Sequence, residues 1–391
     1  MSSRLSWLDG SEAEQQWIRE LLRLFTESEA RDELGIGQLR DAFGELLFPG
    51  TSTLHTRARY LLIVPWCIQY AGRHPGRDQA VELDRIERRL ITTMIDADAT
   101  RGLIGRLSAA AVKTLPSTIY RSALRRYGID NGHAGAETPA ETTELTERVP
   151  GRWPPTLPPP PDGFPDSLAA LELTAAEAAW LRENIMIRVR GTLLEHLLRP
   201  GNRPDERSQS PWDDSAATSA PPDPAAALEH ARKFSIAMHG AALLYNLLLA
   251  EAYERADFTD ITPRDFREAL KIWNDEMATV GAWDRPDMWA RLIRVNPRIA
   301  AGAARRFADT WLGLVLDGRV RDVADDPRLR DLVAGREKTV KKAQSRLVNR
   351  NLLGEWSGDS GTRPLLFRWP QVRRMVIDIH DGVEAADAVT T

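Results

Sequence analysis

The stretch DPAAALEHARKFSIAMHGAALLYNLLLAEAYER, residues 223–255, decides the fold class. Asp223-Pro224 opens it, and a proline at the start of a helix forfeits nothing, because the first amides have no intrahelical partner. The spacing of its apolar residues predicts one long helix reaching about Arg255. Its most apolar part, Ile236–Ala252, holds His239, Asn246 and Glu251. No stretch in the chain supplies the roughly 18–20 apolar residues that a membrane span requires.

Helical patterns continue on both sides. Thr174 with Glu177 forms a capping box for a helix through Leu198. Thr262-Pro263 starts another, with Phe266, Leu270, Ile272 and Trp273 apolar, and the Ala-rich Ile299–Leu316 is a further one. Nearer the start, Ser11 with Glu14 caps a pattern that includes Trp17, Leu21 and Phe25. Gly37–Phe48 is stopped by Pro49-Gly50, Leu54–Tyr70 is kinked or broken at Pro65, and Asp78–Ile95 is amphipathic. Pro116–Tyr127 is short and basic.

Two stretches break the pattern. Asn131–Asp166 is rich in Pro, Gly, Thr and Glu, which favours an extended linker. Arg199–Pro224 has few aliphatic side chains and reads as a flexible loop. The resulting division is an N-terminal helical domain (1–130), a Pro-rich linker (131–166), and a central helical domain (167–334) interrupted by the loop at 199–224. A basic module (335–382) and a tail (383–391) follow. In that module Arg336–Arg350 reads as helix, and Leu352–Trp356 and Leu365–Trp369 as strands about the turn Ser357–Thr362. Gln371–His380 reads as helix again. The expected fold is mainly α: helical bundles, with a C-terminal winged-helix-like module containing one small β-hairpin.

The chain has 391 residues, 42% of them hydrophobic, and a formal net charge of −4. It can form a sizeable core, and any nucleic-acid contact must come from a local patch. The only cysteine, Cys67, lies in an apolar run and excludes an internal disulfide or a cysteine-built zinc site. The N-terminus carries no signal-peptide pattern, so a cytoplasmic protein is expected.

Charge is concentrated near the C-terminal end. Over Gly335–Asp381, ten Lys and Arg face five Asp and Glu. On a helical wheel Lys338, Lys341, Lys342, Arg346 and Arg350 share a half-cylinder opposite Val340, Ala343 and Leu347. Arg363, Arg368, Arg373 and Arg374 add to it, and Ser345, Asn349 and Asn351 supply hydrogen-bonding groups. Such a face suits a row of phosphates, in DNA or RNA, and equally a solvated or subunit-facing helix. A second candidate is an anion site at Thr51, Ser52 and Thr53 with Arg57 and Arg59, where hydroxyls and a helix start coincide. Its structural counterpart is an N-cap with arginines paired to acids such as Asp41 or Glu45. Arg121, Arg125 and Arg126 with Tyr120 and Tyr127 can hold a single strand, or can be an ordinary surface helix.

No catalytic signature is complete. The P-loop, the dinucleotide fingerprint, the hydrolase elbow and the kinase set are absent. The histidines at 55, 74, 133, 196, 230, 239 and 380 form no metal-binding spacing, and Asp378-x-His380-Asp381 is a fragment of wider motifs. Neither a metal nor a cofactor is expected.

The blocks Asp32–Gly37, Arg40–Phe43, Leu46–Thr53, Thr56–Tyr60 and Pro65-Trp66 resemble a bacterial family catalogued as a domain of unknown function, DUF6361. Ser3–Asp9, Leu115–Tyr120, Ser357–Trp369 and Ile377–Gly382 resemble further parts of it. The resemblance implies no activity and no residue roles; the setting it implies is bacterial phage defence. The expected function is a nucleic-acid-binding accessory protein without catalysis of its own, with protein partners and no membrane. The alternatives are a scaffold subunit, or a hydrolase or nuclease whose site is assembled from remote residues.

Overall fold

A computed structural model of the protein describes residues 32–73, 78–132, 151–316 and 322–390. In chain order the helices are Gly37–Leu47 (α1), Tyr60–Ala71 (α2), Gln79–Asp96 (α3), Pro116–Arg126 (α4), Ala175–Arg188 (α5), Leu193–Leu198 (α6) and Ser215–Thr218 (α7). They continue as Pro222–Arg255 (α8), Pro263–Ala278 (α9), Arg285–Val295 (α10), Ala303–Leu316 (α11), Pro327–Lys341 (α12), Arg350–Gly354 (α13) and Trp369–Thr390 (α14). Among the described residues there is no β-strand. The expected helix after Ser11 lies outside the described residues.

Local chemistry sets several helix starts. Asp78 caps α3, and the Thr174–Glu177 capping box opens α5. Asp326 accepts from Arg328 and Leu329 amides ahead of α12, where Pro327 loses nothing by lacking an N–H. Pro65 does not break the helix: it lies inside α2, which runs on to Ala71. Residues 199–224 contain a turn of 3-10 helix at Pro211–Asp213 and then α7. Asp214 organises them by accepting from the amides of Ala217 and Asp205. The described part of the Pro-rich stretch, 151–166, has no regular element, yet Trp66 Nε1 donates to the Pro158 carbonyl at 2.8 Å.

The chain forms two compact units. The first comprises Met1–Arg40, Lys233–Trp283 and Arg298–Leu365. Its core is α8 from Lys233 onward. The indoles of Trp273 and Trp311 donate to the Ile236 and Ala237 carbonyls at 2.7 and 2.8 Å. Gly240 permits this approach: a Cβ there would lie 2.3 Å from the Trp273 ring. By length and composition α8 passes for a membrane span, but 83% of its apolar window is buried inside the protein, as in a core helix.

The second unit comprises Asp41–Arg232, Asp284–Pro297 and Leu366–Thr391. Here α14 packs along α5, with Gly382 against Ala178 and Leu173, while α2 packs on α3 and α4.

The hairpin expected over Leu352–Trp369 does not form. Leu352 and Leu353 lie in α13, whose start is capped by Asn349. The turn at 357–362 is present, but side chains of α8 serve its backbone in place of a second strand. Asn246 accepts from the Ser360 amide at 2.9 Å and donates to the Ser360 carbonyl at 3.0 Å, and His239 lies 2.8 Å from the Thr362 carbonyl. Phe367 and Arg368 have φ of +49° and +71°, which a β-strand does not contain.

Gly240→Ala is expected to lower stability by about 1–3 kcal/mol through overpacking against Trp273. Urea denaturation followed by tryptophan fluorescence measures it, and an unchanged midpoint would show that the indole has room to move.

Candidate nucleic-acid interface

The basic stretch of the first unit begins on α12. Leu329, Val333 and Glu337 are its buried residues, so a carboxylate sits on the packed stripe. Glu337 governs where the helix ends. Its carboxylate accepts a hydrogen bond from Ser345 Oγ and one from the Arg346 amide at 2.8 Å. The chain turns at Lys342, which adopts the left-handed φ of +51°. The helix expected from Arg336 to Arg350 therefore stops at Lys341, and the half-cylinder of cations is not continuous.

Two of those cations are turned inward. Lys341 Nζ lies 3.1 Å from Glu33, and Arg346 Nη1 lies 3.2 Å from the other oxygen of the same carboxylate. Arg346 also donates to Ser360 Oγ at 3.0 Å. The Tyr245 hydroxyl stands 3.5 Å from an oxygen of Glu33 and of Glu337. Burial works against the Arg346 charge, but Glu33 and Tyr245 outweigh it, and its pKa lies above the ordinary value. Arg350 is exposed, donates to the Ala256 carbonyl at 2.9 Å and lies over Phe258. Lys338, Lys342 and Arg363 are exposed. Lys338 and Lys342 make no ion pair among the described residues. Ser345 is fully buried, and Asn349 is spent as a helix cap.

The remaining predicted cations belong to the second unit. Arg368 donates to the Thr51 carbonyl at 2.6 Å and faces Glu45 at 3.5 Å. Arg373 is buried and donates to the Ser208 carbonyl. Arg374 is half-buried, and its charge acts on Asp378.

The anion site expected at Thr51–Arg59 is filled from within. Arg57 is buried, with Nε 2.9 Å from Asp378, Nη2 3.2 Å from Glu172 and Nη1 2.9 Å from the Arg101 carbonyl. Arg59 meets Glu177 at 2.8 Å and the Ala170 carbonyl at 3.0 Å. Thr51 Oγ1 donates to the Phe48 carbonyl, Ser52 Oγ accepts from Leu54, and Thr53 is exposed. These hydroxyls do not cap α2, whose N-cap is Arg59. The Tyr120 hydroxyl accepts from the Thr56 and Arg57 amides and donates to the Arg57 carbonyl. Tyr120 and Tyr127 are both buried, so neither is available for base stacking beside the exposed Arg121, Arg125 and Arg126. Burial raises the Asp378 pKa against the pull of Arg57, and burial lowers that of His55 to about 4.

The residues of Asp378-x-His380-Asp381 diverge. Asp378 meets Arg57, His380 lies 2.8 Å from the Leu197 carbonyl, and Asp381 meets Arg203. His230 contacts Asp287 at 2.9 Å, and Arg291 shares that carboxylate. Among the described residues no group of three or more His, Cys, Asp or Glu is placed to hold a metal ion.

A family model matches residues 1–383. The chain belongs to the family of unknown function DUF6361. No curated protein and no solved structure matches this DUF6361 chain.

A buried charge stripped of its partner costs about 3–5 kcal/mol, whereas replacing both partners costs much less. Arg57→Met and Asp378→Leu are each expected to destabilise the protein by that amount, and the double variant by clearly less than the sum. A double-mutant cycle under denaturant tests this; additive losses would show that the two side chains are not energetically coupled.

Proposed function

We propose that this chain is a nucleic-acid-binding accessory protein that contacts phosphates and performs no chemistry of its own. One observation carries the reading. Within residues 335–365 the acids Glu33 and Glu337 hold Lys341 and Arg346 inward, while Lys338, Lys342, Arg350 and Arg363 are exposed against the exposed acids Glu355 and Asp359. The surface of this stretch is thus cationic on a protein of net charge −4. Lys338 and Lys342 are the strongest candidates, since no protein carboxylate competes for them among the described residues. The winged-helix-like arrangement contributes only its basic helix to this proposal; the wing is dropped. Bacterial phage defence, the setting that the family resemblance implies, and a cytoplasmic location belong to this proposal.

A scaffold subunit meeting an acidic protein is the second reading. Val348, 69% exposed beside these cations, favours it, because an isolated apolar side chain gains from a protein partner and not from phosphate.

Electrophoretic mobility shift over a salt series tests the first reading. Lys338→Glu with Lys342→Glu is expected to weaken retention of DNA or RNA and to reduce the log–log salt slope by up to about 1.8, at about 0.9 for each duplex phosphate no longer neutralised. Retention and slope unchanged by this pair would sink the proposal. Co-purification of an acidic protein with wild type, abolished by the same pair, would favour the scaffold.

A further inference from the structure

We infer that Lys341, Arg346, Tyr245 and Ser360 form an oxyanion site for a phosphodiester of nucleic acid, and that the Glu33 carboxylate occupies this site in cis. The inference rests on the nucleic-acid reading and adds to it a means of regulation. An ammonium at 3.1 Å, a guanidinium at 3.2 Å and a phenolic hydroxyl at 3.5 Å converge on Glu33, and Ser360 Oγ lies 3.0 Å from the same guanidinium nitrogen. The ammonium, guanidinium and phenol are a donor set that recognises a phosphate oxygen as well as a carboxylate oxygen, and Ser360 Oγ, which accepts from the guanidinium, holds it in place.

Charge balance selects a singly charged ligand. Glu33 and Glu337 together offset Lys341 and Arg346, and Glu337 is fully buried, with Ser345 Oγ and the Arg346 amide as its partners. A phosphodiester carries one negative charge, as Glu33 does, so it can replace Glu33 without unbalancing the group. A phosphate dianion placed beside Glu337 would add an uncompensated buried charge, whereas monoanionic phosphate carries the same single charge as a phosphodiester. What favours a nucleic-acid backbone over free phosphate is the pair of exposed lysines, Lys338 and Lys342, which a continuous run of phosphates can meet as well.

The manner in which Glu33 is delivered supports exchange. It lies on the non-helical segment 32–36 and not on a packed helix. Arg336 grips that segment by its backbone, donating to the carbonyls of Leu34 and Gly35 at 2.7 and 2.9 Å. Gly35, at φ +62°, allows the grip, since a Cβ there would lie 2.7 Å from an Arg336 nitrogen. Lys341 and Arg346 each keep 18% of their side-chain surface exposed, so the site reaches solvent at its edge. Lys338 on the last turn of α12 and Lys342 at its cap flank Lys341 in sequence, where a bound backbone would already lie.

Full-length Glu33→Gln protein, compared with wild type for binding of a labelled DNA duplex over a salt series, tests the exchange. Glu33→Gln is expected to bind several-fold more tightly at a fixed salt concentration, with the slope steeper by up to about 0.9, for the one phosphate newly neutralised. Adding Arg346→Gln should erase the gain. Inorganic phosphate at millimolar concentration should not compete it away. Glu33→Asp keeps the charge on a shorter arm and should fall between wild type and Glu33→Gln, which preserves a test if Glu33→Gln misfolds. No gain in either variant, a gain that survives Arg346→Gln, or full competition by inorganic phosphate would each overturn the inference. If wild type binds through Lys338 and Lys342 while Glu33→Gln binds identically, the surface reading stands and the exchange falls. If neither protein binds, both fall.

Discussion

Arg57 has left water, with 6% of its surface exposed. Desolvating a guanidinium costs several kcal/mol, and only carboxylates and carbonyls with good geometry recover it. Here they come from three separate places: Asp378 on α14, Glu172 just before α5, and the Arg101 carbonyl. The second unit is thereby pinned at one point that no single segment could provide. Gly102 belongs to the same constraint, because at φ +82° a Cβ would lie 2.6 Å from the Arg57 side chain. Two residues on, Arg59 takes the Glu177 carboxylate, which also accepts the Thr174 amide as part of a capping box. Starting α5 and neutralising Arg59 are thus the work of one carboxylate.

In the first unit Glu33 and Glu337 are buried, and carboxylates again gather cations from separate segments. The polar interruptions of α8 make this possible. His239 and Asn246 serve the backbone of the 357–362 turn, and Glu251 pairs with Arg267 and Arg330. Burial opposes the Glu251 charge, yet the two arginines outweigh it and hold its pKa below the ordinary value. The polar residues His239, Asn246 and Glu251 of the apolar stretch 236–252 are therefore the ones that attach other segments to the core helix.

This division explains what is legible in the chain itself. The starts of α5 and α9 and the long reach of α8 are legible because caps, prolines and apolar spacing act within a few residues. The hairpin expectation fails because apolar runs flanking a turn suit either two strands or a helix and a loop, and the deciding groups, Asn246 and His239, lie more than a hundred positions away. The anion site fails for the same reason. Partners near in sequence, Asp41 and Glu45, are the natural expectation for Arg57 and Arg59, whereas the true partner Asp378 is 321 positions from Arg57. Membership of DUF6361 is legible in the N-terminal blocks because they are contiguous.

Counting charges along a wheel treats every cation on one face as equivalent, and the left-handed turn at Lys342 shows why that fails. It takes Arg346 and Arg350 off the axis of α12 and returns Arg346 toward Glu33 and Glu337. What remains on the last turn is Lys338, Lys341 and, as the cap residue, Lys342. Cations there are favoured by the helix's own negative end, which amounts to about half an elementary charge. A phosphate approaching Lys338 or Lys342 competes with that partial charge alone, whereas at Lys341 it must displace a full carboxylate. The three lysines are neighbours in sequence and identical in chemistry, yet they differ in what an anion has to overcome. That difference arises from a single residue, Glu33, far upstream of α12.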